Sequence, residues 1–146
     1  MGKIRLLTSI DVEAAFLLAT QVFVTGSTVH RVLGGSLEEY RAYLRPSFDA
    51  AAQQGLSVIA KAATGELLGC MIVVDFVESA QDTAEPHPIF GPVSALTTAL
   101  SARYARYRTV EAGEVILVDM AAVSPEASGS GVYQKMRDAV GRIARR

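Results

Sequence analysis

The chain has 146 residues, half of them apolar, with 14 lysines and arginines against 15 acidic residues. That length suits one domain over residues 1–146 with its own core, and that apolar content excludes a disordered chain. A net charge of −1 excludes a general electrostatic pull toward nucleic acid or a membrane surface.

The one cysteine, Cys70, lies in the apolar run LLGCMIVVDF. A lone buried thiol excludes an internal disulfide and reads as a small core residue. The start of the chain has no charged segment followed by an apolar one, so no signal peptide is expected. The longest apolar runs fall short of the ~20 residues that span a bilayer. A reducing, cytoplasmic setting is the resulting expectation.

Lys3 to Thr8 (KIRLLT) alternates as a strand does. Thr8-x-x-Asp11 is a helix-start signal. Val12, Ala15, Phe16, Ala19, Val22 and Phe23 then recur at helical spacing, which takes a first helix to about Phe23. Thr25 to Gly35 reads as a loop. Ser36-x-x-Glu39 is a capping box, with Leu37, Tyr40, Leu44, Phe48 and Ala51 at helical spacing behind it and Gly55 where a C-terminal cap belongs. Pro46 must kink this helix or divide it. Leu56 to Ala62 and Leu67 to Phe76 read as strands joined at Thr64-Gly65, a hairpin. Glu78 to Pro88 reads as a loop.

Pro92 suits the first turn of a helix, whose apolar face carries Val93, Leu96, Leu100, Tyr104 and Tyr107. Glu114 to Val123 (EVILVDMAAV) is the most strand-like run; apolar on both faces, it reads as central and buried. A last helix begins near Gly131 and packs with Val132, Met136, Val140 and Ile143. Its cationic end, GRIARR, reads as a solvated face rather than a nucleic-acid patch. The order β-α-α-β-β-α-β-α implies a mixed α/β sheet flanked by helices.

The stretch VSPEASGSGVYQKM joins the last strand to the last helix. A glycine-rich turn there gathers free backbone N–H groups at the positive end of a helix, where anions bind readily. The signature glycine-lysine of a Walker loop and the full G-x-G-x-x-G fingerprint are both missing, so the turn alone is either an anion cradle or a plain connection.

The run VDMAAVSPEASGSGVYQKMRDAV resembles the acetyl-CoA-binding motif of the GNAT N-acetyltransferase superfamily. That motif is an apolar strand, V-x-P, two variable residues, Arg/Gln-x-x-Gly-x-Gly/Ala and a helix. Val123 and Pro125 match V-x-P, and Ser128, Gly129, Ser130, Gly131, Val132 and Tyr133 fill the six loop positions. The order of elements matches the family, and the Pro92–Tyr107 helix resembles an element of arylalkylamine N-acetyltransferase-like members.

The resemblance implies that amides from Gly129 to Tyr133 hold the pyrophosphate of acetyl-CoA, used as cosubstrate with no metal, and that the backbone at Ala122 and Val123 pairs with pantetheine. Ser128 stands where Arg or Gln is usual. Tyr133 stands where Gly or Ala is usual; its phenol either crowds the pyrophosphate, at a cost of roughly 1–3 kcal/mol, or donates to it. The family continues with further strands, whereas this chain stops at Arg146, which the resemblance reads either as a chain truncated after the motif helix or as a reduced half-domain. On that reading the Glu114–Val123 strand is an exposed edge, and a homodimer that covers it is expected.

The implied activity is acetyl transfer to a small-molecule amine; the alternative is a degenerate module of the same fold that binds or assembles without catalysis. Amine acylation needs a base. Asp119 lies on the strand from which family bases project, and either serves as that base or plays a structural part. The segment FVTGSTVH resembles the amine-site loop, which makes Ser27, Thr28 and His30 the candidate substrate contacts. His30 either titrates near neutral pH or stands exposed and idle. Tyr40 and Tyr43 line an aromatic pocket or, for Tyr40, the core. Asp75 and Glu78 either attract an ammonium group or belong to a solvated loop.

Overall fold

A computed structural model describes residues 2–79 and 87–146. Four strands, β1 (Lys3–Leu6), β2 (Val58–Lys61), β3 (Leu67–Asp75) and β4 (Ile116–Val123), form one sheet in the order β1-β2-β3-β4. The helices are α1 (Val12–Gly26), α2 (Thr28–Leu33), α3 (Leu37–Gln54), α4 (Phe76–Ser79), α5 (Gly91–Tyr107) and α6 (Val132–Ala144). The chain divides into two compact units, one of residues 1–74 with 118–146 and one of residues 75–117.

In the first unit, β1 pairs antiparallel with β2, and β2 with β3, with Ile59 opposite Cys70 and Ala60 opposite Gly69. The hairpin turn closes through Gly65, whose φ of 90° suits glycine. β3 is buried on both faces from Gly69 onward. Cys70 points to one face, where its Sγ lies 3.7 Å from the Ala15 carbonyl of α1. Gly69 points to the other, against Val132 and Met136 of α6. Alternation along β3 therefore puts α1 and α6 on opposite faces of the sheet. The core on the α1 side holds Ala15, Phe16, Ala19, Tyr40, Leu44 and Phe48, with the Phe16 and Phe48 rings edge to face at 5.6 Å. Tyr40 is 1% exposed, a core residue, and Cys70 is buried as expected.

The start of α1 is fixed by Asp11. Its carboxylate accepts from the Thr8 N–H (3.1 Å) and hydroxyl (2.8 Å), so the helix-start signal works through Asp11 reaching back. Arg5 donates to both carboxylate oxygens at 2.7 Å, and Lys61 approaches to 3.2 Å, which ties β1, β2 and α1 together. The Ser36–Glu39 capping box is present at the start of α3, and Gly55 ends it in the left-handed region at φ 67°.

Several expectations need correction. The helix through Pro46 is not divided: α3 runs unbroken over Leu37–Gln54. Residues 25–35 are not all loop, because Ser27 caps the further helix α2, which Gly34 ends at φ 76°. β4 is not central. It is the last strand in the sheet order, the exposed edge that the resemblance implies for a chain without the closing strands, and Val118 is 42% exposed. Ser9–Gly26, 18 residues, is by length and composition alone apolar enough to cross a membrane. In this fold it is a core helix that packs on α3.

In the second unit, Asp75 is buried and accepts from the N–H groups of Gly113 (2.7 Å), Val77 (2.9 Å) and Glu78 (3.1 Å). It is an anchor for the backbone rather than a solvated acid, and those amides hold its carboxyl below the usual range. Glu78 is exposed. The Phe76 ring meets Tyr104 edge to face at 5.4 Å. Pro92 sits in the first turn of α5, yet α5 buries none of its residues, and Leu96, Leu100 and Tyr107 of its apolar face are exposed. The expected loop from Glu78 to Pro88 lies mostly outside the described residues; Glu78 itself belongs to α4.

Candidate functional site

From Val118 of β4 onward, the strand–loop–helix unit that ends in α6 lies in the first unit together with Ser27, Thr28 and His30. At the end of β4, the Ser124 N–H donates to the Leu68 carbonyl of β3 at 2.8 Å. The Ala122 carbonyl faces the same way, 2.9 Å from where a Cβ on Gly69 would stand. Backbone groups alternate sides along a strand, so the N–H and carbonyl of the intervening Val123 face the open edge of the sheet. Ala122 is buried and turned toward β3; of the two residues expected at that edge, Val123 is the one whose backbone reaches it.

A short 3-10 turn over Pro125–Ala127 follows, closed by Ser128 N–H to the Pro125 carbonyl (3.2 Å) and Ser130 N–H to the Ala127 carbonyl (3.2 Å). The Ser130 hydroxyl donates to the same Ala127 carbonyl at 2.6 Å. Gly129 and Gly131 have φ of 77° and 81°, and nothing stands within 4 Å of a Cβ at either. Their role is conformational: left-handed backbone that turns the strand into the helix, with open space above it.

The Lys135 amide, inside α6, donates to the carbonyl of the cap residue Gly131 at 3.1 Å. The amides before it, at the helix start, have no carbonyl one turn back to receive them. Ser128, Gly129, Ser130 and Gly131 are exposed, Val132 is 4% exposed and packs inward, and Tyr133 is 50% exposed beside the loop. The loop therefore sets exposed residues at the positive end of a 13-residue helix, with the Ser128 and Ser130 amides used by the turn and those of Gly129 and Gly131 not, a setting for an anion such as a pyrophosphate. Ser128 adds no cation to it.

Asp119 stands exposed on β4, four residues before Val123 and on the same face of the strand.

Ser27 and His30 are brought together. The Ser27 hydroxyl accepts from the His30 N–H at 3.4 Å and lies 2.7 Å from His30 Nδ1. The imidazole sits against the rings of Phe23 (5.2 Å) and Tyr40 (5.1 Å). It is half-buried rather than exposed and idle, and burial pushes its pKa below the usual imidazole value. Thr28, by contrast, is exposed.

One determinant of the site escaped the sequence reading. Gly69 is required for packing: a Cβ there would meet the Ala122 carbonyl at 2.9 Å, Met136 Cε at 3.0 Å and Val132 Cγ1 at 3.3 Å. It lets β4 and α6 close onto β3. Its only sequence signal is a glycine inside a strand pattern, which marks close backbone approach.

No protein-family model and no curated protein matches the chain. Solved structures do. The C-terminal condensation domain of Ebony, in complex with β-alanyl-dopamine, superposes with a TM-score of 0.81 at 13% identity, over 99% of this chain and 70% of that one. The mosquito arylalkylamine N-acetyltransferase like 5b gives 0.71 at 17% identity, over 99% and 71%. The Drosophila melanogaster polyamine N-acetyltransferase gives 0.65 at 13% identity, again over 99% and 71%. The β4–loop–α6 unit, the helices on both faces of the sheet and these superpositions lead to one conclusion: the chain has the fold of the GNAT acetyltransferases, and the arylalkylamine N-acetyltransferases are among the structures it resembles.

Proposed function

We propose that the chain is an N-acetyltransferase that uses acetyl-CoA and acts on a small-molecule amine. The observation that carries this reading is the strand–loop–helix unit, with an edge strand that turns the Val123 backbone outward and then a loop in which two left-handed glycines leave the amides at the start of α6 exposed. Acetyl-CoA, when bound, supplies the acetyl group as an activated thioester. The amides of Gly129, Gly131, Val132 and Tyr133 hold its pyrophosphate, with Ser128 and Ser130, whose own amides are bonded within the turn, as the rim, and the Val123 backbone, after Ala122, pairs with the pantetheine. Tyr133, 50% exposed in the first turn of α6, either donates its hydroxyl to a phosphate or crowds it.

Alkyl amines are mostly protonated at neutral pH, so the acceptor must lose a proton before attack. Asp119, exposed on the strand that leads to the loop, takes that proton on a carboxylate oxygen, directly or through water. Ser27, Thr28 and His30 contact the acceptor. A free backbone amide of β4 stabilises negative charge that develops on the acyl oxygen. Acetyl transfer to a panel of alkyl and aryl amines, followed by release of free thiol, tests the reading. Turnover with at least one amine class supports it; no thiol release above the uncatalysed rate with any of them contradicts it.

A second reading has its own observation. The open edge of β4, with Val118 exposed, is equally a place for another strand to pair. In that reading the chain is an assembly module whose edge is covered by a second copy. Sedimentation that shows a dimer together with no heat on titration of acetyl-CoA favours it.

A further inference from the structure

Net charge hides a strong asymmetry. From Val132 onward the chain carries Lys135, Arg137, Arg142, Arg145 and Arg146 against the single acid Asp138, although the whole chain has a charge of −1. On α6 the buried positions are Val132, Met136, Ala139 and Val140. At about 100° per residue, Arg137, Gly141 and Arg145 fall on the opposite side of the helix, with Arg142 beside them. Arg5, Arg45 and Arg108 are in ion pairs. Arg137, Arg142 and Arg145 have no acidic partner among the described residues. The one carboxylate between them, Asp138, accepts from Gln134 Nε2 at 3.1 Å.

Gly141 is the tenth of the thirteen residues of this helix, in its last turn, where a glycine inside a helix is destabilising relative to alanine. Packing does not call for it: a Cβ there would meet only Arg145 Nη1, at an ordinary 3.8 Å. What the missing side chain leaves is a notch. Arg137, Asp138, Gly141, Arg142 and Arg145 line an open groove of about 420 Å³. Three arginines line this groove beside the glycine, and each guanidinium is a fork-shaped donor suited to phosphate oxygens. Ten residues of helix separate Gly141 from Gly131, about 15 Å, so the notch is distinct from the loop at the start of α6.

We propose that this notch on α6 is a second anion site, which binds a phosphomonoester or pyrophosphate group. It does not depend on the acetyl-CoA reading. The phosphate can come from a small soluble compound or from a lipid headgroup.

Calorimetric titration of inorganic pyrophosphate into the full chain tests the site, with wild type, Arg142→Gln/Arg145→Gln and Gly141→Leu compared. The Leu variant keeps every charge and fills the notch, and it adds a good helix former at a solvent-facing position. Both variants should weaken one binding component about tenfold or more. Pyrophosphate held by the Gly129–Tyr133 loop survives both, so the two sites read out separately. Heats unchanged in both variants overturn the proposal. So does a loss in the arginine variant alone, which shows charge without a shaped site. Co-sedimentation with phosphatidylcholine vesicles, with and without phosphatidic acid, identifies the source. Vesicle binding that Gly141→Leu abolishes assigns a lipid headgroup, and binding of soluble pyrophosphate alone assigns a free phosphate compound.

Discussion

Asp11 shows how one side chain can close a fold. It is 3% exposed and takes hydrogen bonds from Arg5, Thr8 and Lys61, so the ion pair with Arg5 and the other donors hold its carboxyl well below the usual carboxylate range. A carboxyl depressed in the folded state contributes stability that is complete above its unfolded pKa of about 3.9 and is lost as pH falls through the folded value. Urea midpoints should therefore drop below about pH 4, and Asp11→Asn should remove that part of the drop. At neutral pH the same variant should cost about 1.5–3 kcal/mol, the worth of hydrogen bonds to a charged group. His30 shifts the other way from most salt-bridged imidazoles: burial lowers its pKa, so stability is lost as pH falls through the usual imidazole value. Its ring resonances in NMR should titrate below ~6.5. Among functional side chains, Asp119→Asn should lower turnover about 10²–10⁴-fold with little change in the KM for acetyl-CoA. An unchanged turnover removes Asp119 as the base.

The elements show which signals were local and which were not. The capping box at Ser36, the cap at Gly55, the hairpin turn at Gly65 and the start of α6 were all legible, because each is written within a few residues. The place of β4 was not. Whether an apolar strand is central or at an edge depends on which strands lie beside it, and EVILVDMAAV carries no record of that. Likewise α2 is one short helix whose cap, Ser27, is bonded to His30, a pairing visible only once the turn is built. Gly69 belongs to the same class, since its neighbours Ala122, Val132 and Met136 are more than fifty residues away in sequence. Gly69→Ala places a methyl against a backbone carbonyl and should cost about 1–3 kcal/mol. Because β4 or α6 must move to accept it, acetyl-CoA affinity should fall as well. A thermal scan and a titration on the same sample check both; an alanine variant as stable as wild type contradicts the packing described.

At the scale of the molecule, fold and function rest on different grounds. The order of elements and the glycine loop were enough to indicate the acetyltransferase fold, and superposition with three solved structures over 99% of the chain agrees. Activity depends on whether a loop with Ser128 and Tyr133 in place of the usual residues still grips a pyrophosphate. In the proposed reading the cradle is made by backbone amides and the left-handed Gly129 and Gly131, not by those side chains. The most direct test is titration of acetyl-CoA into the chain, compared with S-acetylpantetheine, which lacks the pyrophosphate. The account predicts acetyl-CoA binding within the range of about 1 μM to 1 mM typical of enzyme substrates, much weaker binding of S-acetylpantetheine, and loss of acetyl-CoA binding in Gly131→Asp. Equal affinities for the two compounds, or no heat with acetyl-CoA at millimolar concentration, would contradict it.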